Sequence, residues 1–143
     1  MGFHKILVPV IGAEADEEAI KLACRLAKKD KGKIWAVYVI TIKRSLHLDA
    51  EIEPEIRKGE DILDRIERIA EEQDYEVETD LLQAREVAPT IVDEVVERNI
   101  DLVLMGITYD TRFGQFSLGS VVPYVLKNTP CRVILYQHHQ QAI

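Results

Sequence analysis

Apolar positions along this chain alternate between two periods, one of about two residues and one of three to four, and the switches mark out strands and helices. Residues 4 to 10, HKILVPV, form a short β-rich run with Pro9 near its end, where a ladder N–H can be spared. A turn through Gly12 leads into residues 15 to 31, where Ala19, Ile20, Ala23, Cys24, Leu26 and Ala27 recur at helical spacing. Asp16, Glu17 and Glu18 at its start and Lys28, Lys29 and Lys31 at its end match the helix dipole, and Gly32 stands where a left-handed exit is expected. Residues 33 to 42, KIWAVYVITI, are apolar on both faces, as a strand covered on both sides of a parallel sheet must be.

The second half repeats the alternation. Pro54 opens a helix over 55 to 73 with Ile56, Ile62, Leu63, Ile66, Ile69 and Ala70 on one stripe, and Asp61 with Arg65 and Asp64 with Arg68 as i, i+4 pairs. Residues 75 to 82, YEVETDLL, read as a more exposed strand near a sheet edge. Residues 86 to 98 form a third helix with Pro89 in its first turn and Asn99 at its end. Residues 100 to 105 make a fourth strand, 119 to 127 a fourth helix, Pro130 a stop, and 131 to 136 a fifth strand. This order, without a hairpin signal, predicts one α/β domain: a doubly wound five-stranded parallel sheet with helices on both faces, spanning residues 1–137. The polar residues 138–143 are expected to fray.

Composition narrows the function classes. At 143 residues the chain can bury one sizeable core. A net charge of -7 without a lysine- or arginine-rich block speaks against nucleic acid as a partner, and no apolar run reaches the roughly 20 residues of a membrane span. The start lacks the small-residue cleavage site of a signal peptide, and Cys24 and Cys131 sit in apolar patterns as small hydrophobes, which fits a cytoplasmic protein. Ser45, Ser117 and Ser120 lie in no nucleophile elbow, and His138 and His139 lie adjacent in a loose tail without fixed tetrahedral geometry, so the chain leans away from catalysis and from metal. The acidic residues from Glu14 to Glu18 read as a solvated helix end.

The stretch from Leu102 to Val122 carries the remaining chemistry. An apolar strand reaches Gly106, a polar loop follows, and a helix begins after Gly119 and Ser120, an order that builds an anion cradle at the carboxyl end of a buried strand. Gly106, Gly114 and Gly119 also suit turns and close packing, and Ser120 suits a helix cap.

On three features the chain resembles the universal stress protein family, of the adenine-nucleotide α-hydrolase-like fold. These are the opening KILVPV with its acidic helix, the closing NTPCRVILY, and the frame Gly106, two residues, Tyr109, nine residues, Gly119, Ser120. The resemblance implies a sheet ordered 3-2-1-4-5 and a homodimer joined through the last strand, here Cys131, Arg132, Val133, Ile134, Leu135 and Tyr136. In one subgroup it implies ATP, with magnesium, in a crevice beside strands one and four. Carried onto this chain, that site comprises Pro9, Val10, Ile11, Val39, Met105, Gly106, Thr108, Tyr109, Arg112, Gln115, Gly119, Ser120 and Val121. Two positions depart from the subgroup's pattern: Ile11 replaces an acidic residue and cannot accept a hydrogen bond, and Tyr109 replaces a glycine that permits positive φ. Together these losses are expected to weaken a nucleotide by roughly 100-fold. The expectation is a dimeric binding or regulatory module with a protein partner not named by the sequence and a degraded nucleotide crevice, and the alternative is an ATP-binding switch or slow ATPase built on the loop from Gly106 to Ser120.

Overall fold

The computed structural model describes residues 2–108 and 120–138. Five strands alternate with four helices: β1 (Lys5–Pro9), α1 (Glu14–Lys28), β2 (Lys33–Thr41), α2 (Glu53–Glu72), β3 (Glu78–Ala84), α3 (Val87–Arg98), β4 (Leu102–Thr108), α4 (Val121–Asn128) and β5 (Arg132–His138). All pairings are parallel, in the order β3-β2-β1-β4-β5, so the doubly wound fold and its strand order are as expected. The chain reverses direction through the sheet between β1 and β4, which leaves a crevice beyond their carboxyl ends.

Period-two alternation divides the strands between two cores. Ile6 and Val8 of β1 face α1 and α2, where Ala19, Ile20, Ala23 and Cys24 of α1 meet Leu63, Ile66 and Ile69 of α2. Leu7, between them in sequence, faces the opposite side with Val103 and Met105 of β4, Ile91 and Val95 of α3, and Val122 and Val125 of α4. Each such fully buried aliphatic side chain contributes about 1.5 to 3 kcal/mol. At the amino ends of the strands, Asp101 ties β1 to β4: its Oδ2 accepts the N–H groups of His4 at 2.9 Å and Lys5 at 3.2 Å, and its own N–H donates to the Lys5 carbonyl.

Several boundaries differ from the sequence expectation, each for a local reason. Helix α1 ends at Lys28, and the left-handed residue of its exit is Lys31, φ 52°, rather than Gly32. Gly32 instead donates its N–H to Ala27 and accepts the Tyr75 hydroxyl on its carbonyl. Tyr75 is therefore committed to this contact and to Ala70, and β3 begins three residues later, at Glu78. Strand β3 does lie at a sheet edge, as its alternation suggested. Asn99 closes α3 in the left-handed conformation, φ 53°. Arg65 does not serve the expected pair with Asp61 but reaches across to Glu17 of α1 at 3.4 Å, an exposed bridge worth under about 1 kcal/mol.

Candidate functional site

The crevice begins where β1 stops pairing. After Pro9 the chain turns through Gly12, whose φ of 88° suits glycine; a Cβ there would also lie 2.8 Å from the Ile62 side chain. This turn hands over to α1, whose N-cap is Ala13, a residue with no side-chain acceptor. The missing cap is supplied from inside the helix. Asp16, at the third helical position, accepts the N–H groups of Gly12 at 2.7 Å, Ala13 at 3.0 Å and Ile11 at 3.1 Å on Oδ2, and Ile11 again at 3.3 Å on Oδ1. That is half of a capping box, the half a carboxylate provides.

Asp16 is 3% exposed, which corrects its reading as part of a solvated helix end. The helical spacing of residues 16, 20, 23 and 27 puts it on the stripe that carries Ile20, Ala23 and Ala27 into the core. That spacing, with an aspartate three residues beyond an uncapped turn, is the sequence signal that exposes it. Burial pushes its carboxyl above the ordinary 3.8, while the amides of Gly12, Ile11 and Ala13 and the charge of Arg65 pull the other way.

The opposite wall is β4. The strand does not end at Gly106 but continues through Thr108, with Gly106 opposite Tyr136 and Thr108 opposite His138 of β5. Gly106 faces the first turn of α1 so closely that a Cβ would overlap the carbonyl oxygen of Ala15. Its glycine identity therefore follows from the seating of α1 over β4, the close-packing role the sequence also allowed.

Between these walls lies a crevice of about 490 Å³. Eight of the expected site residues line it: Pro9, Val10, Ile11, Val39, Met105, Gly106, Ser120 and Val121. Thr108 is described only through its backbone, and Tyr109, Arg112, Gln115 and Gly119 lie outside the described residues. Sequence reasoning missed Asp16 and Tyr38, neighbours of the expected residues such as Ala13, Val37, Ile107 and Val122, and, from α3, Val87 and Ile91, which a helix contributes through tertiary packing alone. Ile11 is 66% exposed and stands on the rim, between the crevice and a second concavity beside Arg57 and Lys58 of α2. Its apolar side chain offers no acceptor where an acidic residue would have offered one.

Among the described lining residues, the wall is apolar apart from Asp16, Tyr38, Ser120 and the backbone. Helix α4 begins on the crevice at Val121, and Ser120, at its N-cap position, makes no side-chain cap bond. A helix start favours an anion through its dipole and first-turn N–H groups, here those of Val121 and Val122 because Pro123 has none, whereas the amides entering α1 are already taken by Asp16. Val39 and Met105 belong to the apolar part of this wall, which has two polar ends: the start of α4 and the carboxylate of Asp16 at α1.

Of the cysteines, Cys24 is buried in the α1 core and its thiol is pushed up to about 11 by burial, while Cys131 is half-buried just before β5. Among the described residues no group of three or more His, Cys, Asp or Glu side chains is placed to hold a metal ion, and no helix is long and apolar enough to cross a membrane.

The chain is similar in sequence and fold to known proteins. The universal stress protein MJ0531 of Methanocaldococcus jannaschii is 30% identical over 139 residues, covering 93% of this chain and 81% of that protein. A universal stress protein structure from Archaeoglobus fulgidus superposes with a TM-score of 0.79 at 21% identity, covering 93% of this chain and 98% of that one. A second structure from the same organism, in complex with dAMP, gives 0.74 at 22% identity, covering 94% and 98%. The family model described as the universal stress protein family matches residues 2–137. The sequence match over nearly the whole chain shows that it belongs to the universal stress protein family.

Proposed function

We propose that this chain is a cytoplasmic, non-catalytic regulatory module of the stress response, whose crevice takes an adenine nucleotide weakly and whose output is contact with another protein. The observation that carries this reading is the crevice itself. Eight residues from four elements and their flanking turns converge on a largely apolar crevice of about 490 Å³ beside the start of α4. The complex of a structural relative with dAMP supports the ligand class. The rim side chain of Ile11 supports weak binding, because one hydrogen bond involving a charged group is worth about 1.5 to 3 kcal/mol. No described cation lines the crevice to compensate.

Assembly as a homodimer is part of the same reading. Strand β5 is an outer strand of the sheet, and Val133, Ile134, Leu135 and Tyr136 on it remain only partly buried. An apolar edge of this kind is protected when a second copy covers it.

Calorimetric titration with AMP and with ATP plus magnesium tests the ligand. Dissociation constants of roughly 0.1 to several mM, with no phosphate released, are expected. Absence of any heat at several mM would overturn the nucleotide assignment. The alternative of an ATP-driven switch draws on Ser120, uncapped and beside α4 at the crevice. It would be favoured instead by low-micromolar ATP binding accompanied by phosphate release.

A further inference from the structure

The capping bonds of Asp16 use only one side of its carboxylate. Its Oδ2 receives three amides between 2.7 and 3.1 Å, whereas among the described residues Oδ1 receives only the longer branch of the Ile11 bond, at 3.3 Å. An ionised carboxylate offers about four acceptor positions, so Oδ1 has room for a further donor. The residue lines the crevice, and among the described lining residues it is the only Asp, Glu, His, Lys or Arg. Three amides fix its position from behind, which leaves little freedom to lose when a donor arrives.

A fixed carboxylate in an apolar wall selects hydroxyl donors and repels anions. The phosphate end of a nucleotide is thereby turned toward the start of α4, and its sugar toward α1. The geometry points to Asp16 as the specificity-determining acceptor for a sugar hydroxyl, supplying from the third position of α1 the hydrogen bond that Ile11 cannot accept. This assignment rests on the adenine-nucleotide reading of the crevice.

Adenosine and 2′,3′-dideoxyadenosine separate the two, because neither carries a phosphate and they differ only in the sugar hydroxyls. Binding is read from amide chemical-shift titrations of the whole chain. Adenosine is expected to bind about 10- to 100-fold more tightly than the dideoxynucleoside, and in D16N and D16A this ratio is expected to fall below about 3-fold. The comparison in the unaltered chain needs no variant, so a fold weakened by loss of the cap does not mask it. Equal affinity for the two nucleosides, or a ratio undiminished in D16N, would overturn the role of Asp16 while leaving the crevice reading intact. Binding of neither nucleoside to the unaltered chain, nor of AMP, would overturn both.

Discussion

Burying the carboxyl of Asp16 stabilises its protonated form more than the amides of Gly12, Ile11 and Ala13 and the charge of Arg65 stabilise its ionised form, and the direction of the shift has a consequence for folding. The folded chain holds this proton at pH values where the unfolded chain has already released it. The resulting stabilisation is fully present below the unfolded value of 3.8 and is lost as pH rises through the higher folded value. Urea unfolding at pH 3.5 and pH 7 should therefore show the unaltered chain gaining on D16N at the lower pH. The opposite trend would mean that the amide bonds outweigh burial. Gly106 gives a second test at this scale. Because a Cβ there would overlap the backbone of Ala15 rather than a movable side chain, Gly106→Ala should destabilise the ligand-free chain by about 1 to 3 kcal/mol in urea. A glycine needed only to approach phosphate would show no such loss.

Helix α3 is fastened to the strands β2 and β3 by more than apolar contact. Arg98, in its last turn, bonds Glu94 at 3.0 Å, pairs with Asp80 of β3, and lies over the Trp35 ring of β2 at 5.4 Å. Glu94 is 9% exposed, so removing its partner leaves a carboxylate without compensation. Arg98→Met should cost about 2 kcal/mol, less than for a fully enclosed pair because Arg98 keeps some contact with water. Trp35 is the single tryptophan, so its fluorescence reports both the unfolding and the change beside the ring. Helix α1 offers a comparable probe in Cys24. A thiol at about 11, fully enclosed, should resist alkylation at pH 8 in the native chain and react once urea unfolds it. Rapid native labelling at that position would contradict the packing of α1 against α2.

At the scale of the whole molecule, the sheet has two outer strands with different surroundings. At β3, Gln83 donates to the carbonyls of Leu48 and Ala50 in the segment that leads to α2, which folds that segment over the strand. At β5 the described residues provide no further strand. Light scattering behind size exclusion should accordingly give about twice the 16.3 kDa chain mass at micromolar concentration, and a monomer there would remove the homodimer from the proposed function. The two concavities on either side of Ile11 also belong to this scale, since the rim between them exists only because the Gly12 turn packs against Ile62 of α2.

The hydrophobic periods alone determined the order and type of all nine elements, because burial on one face of a helix or both faces of a strand writes its spacing directly into the chain. The alternation of residues 75 to 82 also placed β3 at an edge, the residue type of Asn99 marked a helix end, and the glycine frame of the loop pointed to the strands that border the crevice. Boundaries were less legible where a side chain had a distant partner: nothing near Tyr75 in sequence announces that its hydroxyl will meet Gly32. The same holds for two residues at the crevice. Gly106 and Asp16 look alike whether they serve a ligand or the fold. Only the approach of α1 to β4 decided that Gly106 is a packing residue, and only the turn of backbone before α1 gathered three amides around Asp16 at the wall of the crevice. Those distinctions depend on where segments far apart in the chain meet, a property that local spacing does not encode.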